Sequence, residues 1–145
     1  MVTLNDITRD NFHDVIKLSV FYEQKDFVAS NVFSLAQAKA QPECIPLAVY
    51  NDGNLVGFVM YGMDFEDKEY WIGRIMIDKK YQRMGYGRAT IQCVLSLLQQ
   101  DLDHDKVYLS FEPENLTAKK LYEELGFAAD GRIIEGEIVY CLRYR

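Results

Sequence analysis

Residues 82–88 read Gln82-Arg83-Met84-Gly85-Tyr86-Gly87-Arg88, a glycine-bearing loop between an apolar run and an amphipathic one. Two glycines let backbone N–H groups turn toward one point without side-chain obstruction, and a helix starting there adds partial positive charge. That combination cradles phosphate. Lys79, Lys80, Arg83 and Arg88 also make this the most basic short window of the chain, and charge-assisted hydrogen bonds to an anion are the strong ones. A plain connector with solvated charges is the other reading of these residues. A dinucleotide fingerprint would need Gly or Ala where Thr90 stands and would open a doubly wound sheet, whereas this loop comes late. A P-loop would need Gly-Lys-Ser or Gly-Lys-Thr, which the chain lacks.

The elements that position this loop follow from hydrophobic periodicity. A short strand over 2–7 precedes Phe12, Val15, Ile16 and Val20, whose spacing predicts a helix over about 9–22. Ser34 is placed to cap a second helix running to Ala40. Two β-rich runs, 45–50 and 55–62, flank Asn51-Asp52-Gly53, a hairpin signal because Asp-Gly supplies the positive backbone angles of tight turns. A third run spans 70–78. From Arg88 to about Gln100, Ile91, Val94, Leu95 and Leu98 mark an amphipathic helix, and 107–111 returns as a strand. Leu116, Ala118, Leu121, Tyr122 and Leu125 describe a last helix, with Asn115 to cap it and Gly126 to end it. One or two closing strands follow. Hairpins first, then alternating strands and helices, imply an α+β fold with a central parallel pair.

Composition narrows what such a site could serve. At 145 residues with 49% apolar side chains, the chain is expected to form a single domain over 1–145 with a core needing no disulfide or metal staple. Sixteen basic against 22 acidic residues give a net charge of −6, a field that repels nucleic acid and draws in a polycation. An anionic ligand therefore needs a local device such as the basic loop. Cys44, Cys93 and Cys141 lie among apolar neighbours without metal-ligand spacing, so they read as buried thiols in a reducing compartment. His13 and His104 sit in separate polar segments, so no metal site is expected. No apolar run approaches the roughly 18 residues of a spanning helix, which makes a soluble cytoplasmic protein with no membrane partner the expectation.

The glycine loop after the run IMID, followed by a strand, Asn115 and the segment AKKLYEELGF, resembles the GNAT superfamily of N-acetyltransferases across nearly the whole chain. More narrowly, EQKDFVASNVFSLAQA (23–38) with YWIGRIMID looks like its spermine/spermidine acetyltransferase branch. The resemblance implies a mixed, mostly antiparallel sheet with a splayed central parallel strand pair and flanking helices. It further implies that the backbone of Ile75, Met76 and Ile77 pairs with the pantetheine arm of acetyl-CoA, the cosubstrate. The amides of Arg83, Met84, Gly85, Tyr86, Gly87 and Arg88 would hold its pyrophosphate, and Asn115 would touch it as well as cap the helix. Tyr122 would be the general acid, or else a core tyrosine. A phenol with a pKa near 10 can return a proton to a departing thiolate of roughly 8.5.

The acceptor sets the harder requirement. An alkylammonium with a pKa of roughly 10.4 is unprotonated in only about four parts in ten thousand at pH 7, so something must remove its proton. The carboxylate that many GNAT proteins carry on the fourth strand aligns with Gly73, which cannot serve. Glu112, Asp64, Glu69 and Glu23 are the candidates, with a water chain to bulk solvent as the alternative. Residues 64–69 place four carboxylates in six positions, either a solvated hairpin tip or a polycation mouth in which Trp71, Phe65 and Tyr61 cover methylene segments. The expected function is transfer of acetyl from acetyl-CoA to a polyamine by direct attack. Another small amine, a protein amine, or a non-catalytic acyl-CoA-binding module are the alternatives. The carboxyl-terminal strand is an expected edge for a homodimer.

Overall fold

The computed structural model describes residues 1–145. Seven strands form one sheet in the order β1 (Val2–Asp6), β2 (Cys44–Asn51), β3 (Asn54–Met63), β4 (Tyr70–Ile77), β5 (Lys106–Phe111), β7 (Glu137–Arg143), β6 (Ala128–Ile134). Every pairing is antiparallel except β4 with β5. Those two are joined by a crossover through α3 (Tyr86–Leu98), as parallel neighbours require. The remaining helices are α1 (Phe12–Lys17), α2 (Asn31–Ala40) and α4 (Leu116–Glu124). The carboxyl-terminal strand is not an edge: β7 is paired on both sides, and β1 and β6 are the free ones.

Alternation along the central strands feeds two cores. Leu47, Val49, Val59 and Ile72 pack with Ile91, Val94 and Leu98 of α3 and Tyr122 of α4, while Ala48, Phe58, Met60 and Met76 pack with Val15 of α1 on the opposite face. Asn31, buried at the start of α2, donates to the Val15 carbonyl at 2.9 Å and ties the two helices on that face together. Asp52 and Gly53, with φ of 49° and 87°, make the first hairpin turn; Glu135 and Gly136, at 51° and 83°, make the last. Both have the handedness that matches strand twist.

Three element boundaries differ from expectation. The first helix ends at Lys17 because the following residues are held extended: the Ser19 N–H donates to Asp78 Oδ1 at 2.8 Å and the Ser19 carbonyl accepts from Lys79 N–H at 2.8 Å. A 3₁₀ turn over Tyr22–Phe27 follows. The cap of α2 is Ser30, which accepts from Phe33 N–H, whereas Ser34 is buried inside the helix and donates back to the Ser30 carbonyl. Helix α3 starts at Tyr86, two residues before Arg88, because Gly85 turns the chain at φ 85°. Cys44, Cys93 and Cys141 are half-buried rather than enclosed. No helix is long and apolar enough to cross a membrane.

Three of the ten tyrosines are pushed up to about 12. Burial does this first for Tyr70 and Tyr122, and a hydrogen bond to Glu123 does it first for Tyr140. The neutral phenol is then the form the fold favours, so this stabilisation is complete below pH 10 and disappears as pH rises from 10 toward 12. Tyrosinate absorbance followed through that window should show a late group of tyrosines that ionises together with loss of ellipticity. Simple titration of all ten near pH 10 with the fold intact would contradict this.

Candidate active site

The pairing of β4 with β5 stops after two residue pairs, Tyr70 with Val107 and Trp71 with Tyr108. Immediately beyond, the register of β3 against β4 jumps from Met60–Arg74 to Tyr61–Ile72, which leaves Gly73 as an extra, bulged residue. A bulge bends its strand and sharpens the twist, so β4 turns away from β5 at Gly73. The result is a cleft of about 1550 Å³ that runs between the two strands. Along it, Ile75, Met76 and Ile77 present a backbone edge that no strand of this chain pairs on the β5 side.

One end of the cleft is closed by the glycine loop. Arg83 and Gly85 take left-handed conformations, φ 65° and 85°, and α3 begins at once, so its first N–H groups, which lack an intrahelical partner, belong to residues that line the cleft. Gln82 anchors the loop: its Nε2 donates to the Ile77 carbonyl at 3.0 Å and its side-chain amide exchanges two hydrogen bonds with that of Gln24. Arg83, Gly85, Tyr86, Gly87 and Arg88 all line the cleft, whereas Met84 is 59% exposed and does not. Arg88 pairs with Glu124 across the mouth, linking α3 to α4. Asn115 lines the cleft too and caps α4, its Oδ1 accepting from Ala118 N–H at 3.3 Å.

Tyr122 forms the wall opposite β4. Its ring packs against Phe111 and Phe127 with centroids 5.6 and 5.8 Å away, and burial together with the nearby Glu137 carboxylate pushes its hydroxyl up to about 12. The phenol is thus protonated at any working pH. A strand-end cleft with an open backbone edge, an amide-rich helix start and the protonated Tyr122 phenol is suited to holding an extended, anionic acyl carrier and supplying a proton to its leaving group.

The sequence profile of the acetyltransferase (GNAT) family matches residues 4–127. The chain belongs to that family. A probable spermine N(1)-acetyltransferase of Bacillus subtilis subsp. natto is 30% identical over 138 residues, 91% of each chain. Among solved structures, the spermidine N-acetyltransferase of Vibrio cholerae in complex with CoA and spermine superposes with a TM-score of 0.77 at 21% identity, covering 99% of this chain and 95% of that one. The aminoglycoside acetyltransferase AAC(6')-Ib in complex with coenzyme A reaches 0.82 at 18% identity over 100% and 95%. This GNAT chain is accordingly an acetyl-CoA-dependent N-acetyltransferase, with the mixed sheet and single splayed parallel pair of the family.

The acceptor side of the GNAT cleft departs from the sequence reading. Glu23 is exposed and does not line the cleft, and neither does Glu112, which follows the last residue of β5. Asp64 caps its own turn, accepting from the N–H groups of Glu66 and Asp67 at 3.0 Å each. It lines a separate hollow with Glu43, Glu66 and Tyr61, and Trp71, Gly73 and Arg74 join that hollow to the cleft. Glu69 lies near Lys106 at 3.8 Å. The aromatic faces expected to cover methylenes are partly taken: Lys68 lies over Phe65 at 4.6 Å, and Trp71 stacks on Tyr108 and carries Arg132 at 5.5 Å. Asp26, Glu124, Glu135 and Glu137 line the cleft and none is among the carboxylates the sequence singles out; of these, Glu135 and Glu137 sit at the last hairpin turn. The signal that could have found them is Glu135-Gly136, a tight-turn pair that fixes where β7 begins.

Proposed function

We propose that this enzyme transfers acetyl from acetyl-CoA to a primary amine of spermine or spermidine, by direct attack of the amine on the thioester. The observation that carries the transfer is the parting of β4 from β5 at Gly73 with Tyr122 on the far wall. In this reading the free backbone edge of Ile75, Met76 and Ile77 receives the pantetheine arm, and the amides from Arg83 to Arg88 receive the pyrophosphate. Met84 contributes at most its backbone. Asn115 fixes the start of α4 and thereby Tyr122, which protonates the departing thiolate. Acetyl-CoA supplies the activated acyl group.

The polyamine assignment is supported by the 30% identity to a named spermine acetyltransferase and by the hollow beside the cleft. There Glu43, Asp64 and Glu66 oppose the single guanidinium of Arg74, a surplus of negative charge placed to hold the second, non-reacting ammonium of a polyamine. Arg74 itself favours a second reading. It stacks over Phe33 at 5.9 Å and donates to Gln37 at 3.1 Å, with its Nε buried and unpaired, so a peptide amine with a nearby carbonyl or carboxylate would find a partner there.

Thiol release from acetyl-CoA across spermine, spermidine, putrescine, an aminoglycoside and a lysine peptide tests the assignment. Polyamines should be preferred by kcat/KM; activity on the peptide alone would transfer the assignment to Arg74 and a protein amine. CoA binding without thiol release would leave an acyl-CoA-binding module. Raising ionic strength from about 0.05 to 0.5 M shortens the Debye length roughly threefold, so KM for spermine should rise severalfold while that for a monoamine moves much less. Equal shifts would remove the acidic hollow from substrate binding.

A further inference from the structure

The need for a base on the acceptor side, unmet by Gly73, is answered elsewhere in the cleft. Glu137 is the first residue of β7, placed there by the tight Glu135-Gly136 turn. It is half-buried, lines the cleft, and accepts a 2.7 Å hydrogen bond from the Ser110 hydroxyl on β5. Ser110 pairs with Val139, so Glu137, two residues back on the same face of β7, reaches it along the diagonal. Leu109 and Phe111 are buried and Phe111 packs on Tyr122, so the alternating Ser110 faces away from the α4 side of the sheet. Glu137 and Tyr122 therefore approach the parting of β4 and β5 from opposite faces, close enough that the carboxylate raises the phenol.

We propose that Glu137 is the general base that deprotonates the acceptor ammonium, with Ser110 as the residue that positions its carboxylate. This rests on the acetyltransferase reading. An ammonium nitrogen must shed two protons to become an amide N–H. One passes to Glu137 and on to solvent. The free lone pair then bonds to the thioester carbonyl carbon, the C–S bond breaks, and the thiolate takes the Tyr122 proton. The nitrogen's second proton restores the phenol, so charge and atoms balance. Base and acid on opposite sides of the carbonyl suit this displacement, because nucleophile and leaving group then each have their own proton partner. Besides Glu137, the charged or titratable groups lining the cleft are Lys120, Tyr122 and Glu124 on α4, Glu135 in the turn, Arg74 on β4, Lys25 and Asp26 before α2, and Tyr81, Arg83, Tyr86 and Arg88 around the glycine loop. Of these and Glu137, only Glu137 accepts a hydrogen bond from a β5 side chain.

The test measures kcat and KM of the full chain and of Glu137→Gln with monoamines of decreasing basicity, down to trifluoroethylamine, which is neutral at pH 7. Glu137→Gln should lower kcat/KM at least tenfold for a strongly basic amine, leave the Kd of CoA unchanged, and lose its deficit as the amine becomes less basic or the pH is raised from 7 to 9. Ser110→Ala should show a smaller deficit with the same dependence on basicity, and Glu137→Asp should recover part of the rate. A deficit equal for all amines at all pH values would make Glu137 structural and overturn the proposal, as would a Glu137→Gln enzyme that matches wild type. A wild type that binds CoA but acetylates none of the amines would instead overturn the acetyltransferase reading, and the role of Glu137 with it.

Discussion

Replacing Tyr122 with Phe should lower kcat on the order of 10²-fold or more while the Kd for CoA and the melting temperature stay nearly unchanged. The size follows from the usual contribution of a positioned acid to proton transfer. Selectivity follows from packing: the ring is held by Phe111 and Phe127, contacts that phenylalanine keeps, and the hydroxyl has no hydrogen-bond partner within the protein whose loss would loosen the fold. The pH dependence should follow the same logic. With the phenol pushed up to about 12, Tyr122 stays protonated through pH 9, so activity should rise with pH as more amine is free and show no fall attributable to this residue below pH 10. Steady-state kinetics from pH 6 to 10 on both proteins check this. Unchanged turnover in Tyr122→Phe would remove the residue from the acid role and leave it as a wall of the cleft.

What the sequence made legible divides along the range of the interactions concerned. The Asp52-Gly53 hairpin, the stripe of Ile91, Val94 and Leu98, and the Asn115 cap are local patterns, and each stands where its residues predict. The glycine loop was readable for the same reason, since φ at Gly85 and the start of α3 are decided within a few residues. The splay was not. Residues 70–78 look like one uninterrupted strand, and only the register against β3 shows that Gly73 is bulged out and that β4 leaves β5 there. The shortened first helix also has a distant cause, because residue 19 is tied to residues 78 and 79.

Charge was the hardest to place. Four carboxylates in six positions make 64–69 the densest acidic run, yet most of it satisfies its own turn, Trp71 or Lys106. A carboxylate's use depends on what faces it. Glu137 sits among ordinary strand residues, and its proximity to Tyr122 arises from β7 inserting between β5 and β6, an arrangement that no local pattern announces.

The Gly85 backbone carries the second large effect. At φ 85° this residue caps α3, and a Cβ added there would meet nothing within 4 Å. A substitution therefore acts through conformation alone. A left-handed backbone costs an L-residue on the order of 1–2 kcal/mol, more when branching at Cβ crowds the carbonyl, and asparagine tolerates it best. Relief of that strain rotates the amides of Gly85 to Gly87 out of convergence. Gly85→Val should raise the KM for acetyl-CoA on the order of 10²-fold and lower the melting temperature by about 2–6 °C, with Gly85→Ala intermediate and Gly85→Asn close to wild type. The order Asn, Ala, Val distinguishes backbone conformation from side-chain bulk, because asparagine is larger than alanine yet should do less harm. Calorimetric binding of CoA alongside thermal melts reads both effects, and an order that followed side-chain volume would mean that the loop meets its ligand through contact space rather than through the direction of its N–H groups.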